Sequence, residues 1–375
     1  MSGLPSLRPD LEALTGYHSP QVDVEVRLNT NESPFAPPPE WREEYAREVG
    51  RIDFHRYPDR DGAELREAIA KHHGVEPAEI FCANGSNEVL QSLLLAYGGP
   101  TRQVLTFEPT YSLHRHIAGL TGTPVVSSQR AEDFTLSPEG VDAALERCSP
   151  VITFLCSPNN PTGRVEPPGL VRHVLSRAPG LVVVDEAYGQ FAHWSALDLR
   201  GASAAPGSAR RAPSGEPPIE EGARRRLGVV RTFSKTWALA AVRLGYLVAD
   251  PEVVDACQQV ALPYRLSTAT QLAGLLALKH DSAMRERVAA VTEERGRVQA
   301  GLANLPVETW PSEANFILFR PLERPAKRVW SDLLDRSVLV RDCSSWDGLD
   351  GCLRVTIGTP GENHRFLEAL EACLR

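Results

Sequence analysis

The chain is poor in lysine: of 40 basic residues only Lys71, Lys235, Lys279 and Lys327 are lysines, and the rest are arginines. A residue type this scarce can be weighed one position at a time. Other absences exclude whole classes of protein. No run of about 18 apolar residues is present, which excludes a membrane-spanning helix. The segment MSGLPSLRPDLEALTGYHSP lacks the basic stretch followed by an apolar run that a secretory signal needs. The seven cysteines form no C-x-x-C pair and are odd in number, so reduced thiols in the cytoplasm are expected rather than a disulfide frame. Ten histidines include no H-E-x-x-H or similar spacing, and no metal is expected. Positive charge is not in excess either. A net charge of −8 argues against a nucleic-acid-binding surface.

What is present suits a globular protein. With 375 residues, 42% of them hydrophobic and 23% charged, the chain can build one large domain and a smaller one around a sizeable core. Residues 1–45 read as an arm, with a short helix around Leu11, an extended V-E-V-R-L-N-T-N-E-S-P and three consecutive prolines, Pro37 to Pro39, that favour an extended path. Residues 46–255 read as the large domain. Its apolar runs VLTFEP, VITFLC, LVVVDEAY, VVRTF and LGYLVAD are nearly continuous, the pattern of strands buried on both faces of a mainly parallel sheet. Helix-like segments between them fit the crossovers. Residues 200–226 carry one large apolar side chain, Ile219, and read as a flexible surface insertion. Residues 256–375, with three helical segments followed by PVETW, NFILFR, SVLVRD and CLRVTIG and a closing helix, read as a small α+β domain with which the arm packs. The expected class is α/β.

Ligands of such sheets bind beyond the carboxyl ends of the strands. Each strand-like run here ends in a polar or aromatic cluster: Glu108 to Tyr111, Ser157 to Gly163, Asp185 to Tyr188, and Ser234-Lys235. Lys235 is the lysine at the end of a buried-type strand, where desolvation and a nearby cation lower an amine pKa and make it nucleophilic. Lys71, Lys279 and Lys327 sit in polar surroundings. Gly85-Ser86-Asn87, between a short strand and an apolar-faced helix, places free amides where an anion could bind. Each residue also has a plainer role. Asn160 could be a turn residue before Pro161, Tyr111 a core aromatic, Asp185 a helix cap with Glu186 on the surface, and Arg354 a solvent-facing strand residue.

Together S-P-N-N-P-T-G (157–163), D-E-A-Y (185–188), T-F-S-K (232–235) with Arg243, and L-R-V-T-I-G-T (353–359) resemble the class I/II, fold-type I aminotransferases that use pyridoxal phosphate (PLP). The resemblance implies that Lys235 carries PLP and acts as the base at substrate Cα, and that Asp185 pairs with the pyridine nitrogen. Tyr188 and Asn160 match residues that contact the phenolic oxygen, and Tyr111 matches the ring-stacking aromatic. Gly85, Ser86, Asn87, Thr232, Ser234 and Arg243 match the phosphate cup. Tyr57, in R-Y-P-D, resembles a tyrosine that reaches in from a second subunit, which implies a homodimer.

L-N-x-N-E-x-P, R-Y-P-D, V-L-V-R-D and G-C-L-R-V-T-I-G-T are similar to the histidinol-phosphate aminotransferase branch and its place in histidine biosynthesis. That branch implies Arg341 and Arg354 on the substrate phosphate, the arm with Asn31 over the imidazole end, and glutamate with 2-oxoglutarate as the second couple. An aromatic amino-acid aminotransferase shares every cofactor residue, and a threonine-phosphate decarboxylase shares fold and phosphorylated substrate. A PLP-sensing regulator would need a DNA-binding module that the residues before Leu28 are too few to form. The chain departs from the family between Lys235 and Arg243, where a glycine-rich stretch is replaced by one carrying Trp237, Ala240 and Ala241, and again at Ser33.

Overall fold

The computed structural model describes residues 5–12, 16, 21–201 and 219–375. Its strands, in chain order, are β1 (Val26–Leu28), β2 (Ile80–Ala83), β3 (Gln103–Glu108), β4 (Val125–Gln129), β5 (Pro150–Cys156), β6 (Leu181–Asp185), β7 (Leu227–Thr232), β8 (Gly245–Val248), β9 (Val307–Thr309), β10 (Phe316–Pro321), β11 (Val338–Asp342) and β12 (Leu353–Thr356). Seven of them form one sheet in the order β2-β8-β7-β6-β5-β3-β4. β4, β3, β5, β6 and β7 run parallel, and β8 is antiparallel to both its neighbours. Residues of β2 and β8 are buried throughout, as their unbroken apolar runs require, and so are those of β7 including Arg231, because helices cover both faces. One core lies on each side of this sheet.

The other five strands form a second sheet, β1-β11-β12-β10-β9, with its own core around Phe316, Phe319 and Phe366. The arm enters this sheet: Val26, Arg27 and Leu28 pair in parallel with Val338, Leu339 and Val340. Antiparallel pairing of β11 with β12 sets Arg341 directly opposite Arg354.

Three expectations change. The proline run does not stay extended: Pro39 opens the helix Pro39–Val49, because a proline at the first helical position gives up no helical hydrogen bond. Trp41 of that helix is buried in the core beside the large sheet and donates Nε1 to Ala273 O at 3.3 Å, so the line drawn at residue 45 crosses a packed helix. The line at 255/256 likewise falls within the helix Pro251–Val260. Of the insertion expected to be flexible, 202–218 lies outside the described residues, whereas its flanks are structured. Arg200 is buried and pairs with Glu79 at 2.7 Å, and Glu221–Arg226 is helical.

Among the described residues no helix is long and apolar enough to cross a membrane, and no group of three or more His, Cys, Asp or Glu is placed to hold a metal.

Candidate active site

The carboxyl ends of β5, β6 and β7 and the arm enclose a cavity of about 620 Å³. Its walls include every residue singled out above as cofactor- or substrate-contacting except Gly85, which lies directly behind the wall, and Tyr57. Tyr57 stands apart. It is 80% exposed and stacks on Tyr264 with ring centres 4.5 Å apart.

Asp185 closes β6 at the cavity floor, 1% exposed. Burial of a carboxylate is costly unless hydrogen bonds answer it. Here the Ala187 amide donates to Oδ1 at 3.1 Å, and His114 Nε2 lies 3.1 Å from Oδ2. His114 is itself buried, stacked on Phe154 at 4.8 Å and edge-on to Tyr111 at 5.5 Å. It was not among the residues selected from sequence. Its spacing of three from Tyr111, which lies just before the cap of the helix Leu113–Leu120, is the available signal.

Glu186 is not on the surface. It is buried against Arg231, whose Nη2 and Nε donate at 2.6 and 2.9 Å, and it also accepts from Ser195 Oγ and the Ala196 amide. This pair locks the Asp185–Tyr188 turn to β7, the strand that ends next to Lys235. An arginine inside the otherwise apolar V-V-R-T-F run is the clue in the sequence, since such a residue needs a buried partner.

Lys235 follows β7. Its Nζ donates to Thr30 O of the arm at 3.1 Å and lies 5.8 Å from the centre of the Tyr188 ring. Burial lowers the amine pKa to about 7; the Arg354 and Arg243 cations push the same way, and the Glu32 carboxylate opposes them. Near neutral pH this lysine is therefore divided between ammonium and nucleophilic amine. Tyr188 Oη accepts from Asn31 Nδ2 at 2.9 Å, and Asn31 is fastened to Thr356 Oγ1 through both its amide and its side chain, each at 3.0 Å.

A cluster of donors gathers at one end of the cavity. The helix Ser86–Tyr97 points its first amides there, and these have no partner within a helix. Gly85 precedes it at φ 87°, and a Cβ at this position would lie 2.4 Å from Arg243 Nη2, so glycine is needed both for the backbone and for the guanidinium. Arg243 donates to Ser234 Oγ at 3.3 Å. Between Lys235 and Arg243, the left-handed position is Ala238 at φ 57°, a conformation costing roughly 1 kcal/mol in a non-glycine residue. Trp237 turns into the core against Phe233, while Ala240 and Ala241 line the cavity. The methyl groups of Ala240 and Ala241 are accommodated, and the strain falls on a neighbour, Ala238.

At the other end Arg354 is buried, donating to Asn160 Oδ1 and, at 2.9 Å, to Asn29 O. Arg341 faces it across the β11–β12 ladder and also lines the cavity. The Asn160 turn is held by its neighbour Asn159, fully buried, which accepts from Thr110 Oγ1 at 3.0 Å and donates to Pro109 O at 3.0 Å.

This arrangement can be compared with known proteins. The family model for aminotransferases of class I and II matches residues 23–370. The chain belongs to that family. This aminotransferase is 44% identical to the histidinol-phosphate aminotransferase of Frankia casuarinae, over 98% of this chain and 90% of the relative. With the enzyme of the same name from Thermobifida fusca the identity is 42%, over 97% and 94%. It shares its fold with the solved histidinol-phosphate aminotransferase of Sinorhizobium meliloti in complex with pyridoxal-5'-phosphate, at a TM-score of 0.85, 23% identity, and coverage of 100% and 99%. The fold is therefore that of the fold-type I PLP enzymes, and the protein is a PLP-dependent aminotransferase.

The residues present fit PLP. A buried carboxylate held as an acceptor suits a pyridinium N–H, an amine titrating near pH 7 suits an aldehyde, and helix amides beside Ser234 and Arg243 suit a phosphate.

Proposed function

We propose that this aminotransferase moves the amino group of histidinol phosphate to 2-oxoglutarate, leaving the 2-oxo form of the donor and glutamate. The observation that carries the donor is Arg341 opposite Arg354 at the Lys235 cavity, two guanidinium groups suited to a dianionic phosphate monoester. Relatives at 44% and 42% identity that bear this enzyme's name support the same reading.

PLP, when bound, supplies an aldehyde for covalent attachment and a protonated ring that draws electrons from the donor's Cα. Lys235 would hold it and, when released, take the proton from the donor's Cα through Nζ, for which a pKa of about 7 is well matched. Asp185 would accept the ring N–H, its oxygens already oriented by His114 and Ala187. Tyr188 and Asn160 would bind the phenolic oxygen, and Tyr111 would cover the ring face. Gly85, Ser86, Asn87, Thr232, Ser234 and Arg243 would cup the phosphate. Asn31, tied to Tyr188 and Thr356, would line the donor's side-chain end while the arm keeps water out.

The working unit is a homodimer in this reading, with Tyr57 completing the partner's cup. Tyr57, 80% exposed, stacks on the exposed Tyr264, an aromatic pair of the kind that a second copy covers. The seven cysteines are all free, which supports a cytoplasmic location. The arm is taken to form one unit with the small domain, joined to it by the pairing of β1 with β11.

The test is glutamate formation from 2-oxoglutarate with histidinol phosphate, phenylalanine and threonine phosphate at equal concentration. Histidinol phosphate should give the highest kcat/KM. Faster turnover of phenylalanine, or carbon dioxide release from threonine phosphate in place of glutamate formation, overturns the reading.

A further inference from the structure

One long helix, Asp281–Leu302, joins the core beside the large sheet to that of the second sheet. Met284 packs in the first core, Val291, Val298 and Leu302 in the second, and Val288 against both. The arm makes the same crossing in the other direction, with Phe35 packed against the second core and Trp41 buried in the first. Arg287 and Ala36 meet at this crossing.

Arg287 is buried. Its Nη1 donates to Thr236 O at 2.8 Å and its Nη2 to Ala36 O at 3.3 Å. Thr236 immediately follows Lys235. Burial lowers the pKa of Arg287, and among the described residues no carboxylate pairs with it to offset that cost. An apolar side chain would fill the same space without burying a charge. It could not donate from two nitrogens held in a fixed fork.

The turn that carries Lys235 is closed within itself by Ala238 N to Lys235 O and Leu239 N to Phe233 O, both at 3.1 Å, while Thr236 O is bonded from outside the turn by Arg287. The arm reaches the same turn at a second point, where Lys235 Nζ donates to Thr30 O at 3.1 Å. Arg287 thus ties both the lysine turn and the arm to one helix, and the Nζ contact spans the two parts that it ties.

We propose that Arg287 is a positioning residue for Lys235. By holding Thr236 O and Ala36 O it keeps Nζ against the Thr30 carbonyl and away from water. This rests on Lys235 as the amine that carries PLP and does not depend on which donor is used. Without the fork, water reaches Nζ, whereas Arg354, Arg243 and Glu32, the charged groups that act on the amine, are unchanged by the substitution. Hydration favours the ammonium, so the amine pKa moves up toward that of an exposed lysine.

The test uses the full-length protein and the variants Arg287→Met, which keeps the stem and loses the donors, and Arg287→Lys, which keeps the charge and replaces the fork by one ammonium. Two readouts are compared with Tm: the pH at which PLP uptake by the cofactor-free protein levels off, and kcat and KM of the PLP-loaded enzyme. Arg287→Met should raise the levelling pH by about one unit or more and lower kcat about tenfold, with KM changed by less than about twofold. Arg287→Lys should recover part of both. A folded Arg287→Met with a lower Tm but the wild-type levelling pH and kcat overturns the proposal, since lost packing alone gives that result. If Arg287→Met does not fold, Arg287→Lys decides, and a wild-type levelling pH and kcat in that variant overturn it equally. Borohydride reduction of the wild-type enzyme separates this failure from that of the underlying assignment: an adduct on a lysine other than Lys235 removes the assignment and the proposal together.

Discussion

The floor of the cavity and its rim are built differently. On the floor, buried charges are answered from within the chain: Asp185 by His114 and the Ala187 amide, Glu186 by Arg231 and Ser195. At the rim, Arg243 and Glu32 keep much of their exposure. The difference separates two tasks. A floor already hydrogen-bonded needs no rearrangement to stabilise charge during the reaction, which is where preorganised groups are worth most. A rim left open can admit cofactor and donor.

If the floor is preorganised, damage there should be severe. Asp185→Asn keeps the shape and removes the charge, and we expect roughly a hundredfold loss of kcat or more with the cofactor still bound, measured by turnover alongside visible absorption. Near-normal turnover would place the carboxylate outside the chemistry. Arg231→Leu leaves Glu186 buried without its cation and should cost about 3 kcal/mol of stability, read from denaturant unfolding. A loss under about 1 kcal/mol, the range of an exposed pair, would make this ion pair no part of the floor.

The pH dependence of cofactor capture sharpens the same contrast. Because burial holds the Lys235 ammonium at about pKa 7, the fraction of neutral amine rises as pH rises and levels off above that value. PLP uptake by the cofactor-free protein should therefore gain about tenfold per unit below pH 7 and flatten above it, whereas an exposed lysine would keep gaining to about pH 10. In the proposed dimer Tyr57 reaches the rim of the partner's cavity, so Tyr57→Phe removes one hydroxyl there and should raise the dissociation constant of PLP only about five- to tenfold. An effect as large as that of Asp185→Asn would erase the distinction between the two regions.

Much of the site was legible because it is local. T-F-S-K, D-E-A-Y and S-P-N-N-P-T-G each end a strand, and strands that run parallel in one sheet must deliver their ends to one edge. Contacts made across the sheet were less legible. His114 meets Asp185 from 71 positions away, and only its spacing from Tyr111 hints at which histidine of L-H-R-H turns inward. Glu186 reads as a surface residue until β7 is laid beside β6 and Arg231 comes within reach. The helix at Pro39 was hidden by the prolines, since the rule that bars them from a helix interior does not hold at its first turn. The departure from a glycine-rich stretch was visible at Trp237, Ala240 and Ala241, but the left-handed backbone falls at Ala238, a matter of dihedral angles that side-chain size does not reveal.

The central claim is that the cavity is built around a single amine. Reducing the PLP-loaded protein with borohydride and mapping its peptides tests this most directly. The account predicts the cofactor on Lys235 and nowhere else. Recovery of the adduct on Lys71, Lys279 or Lys327 would contradict it.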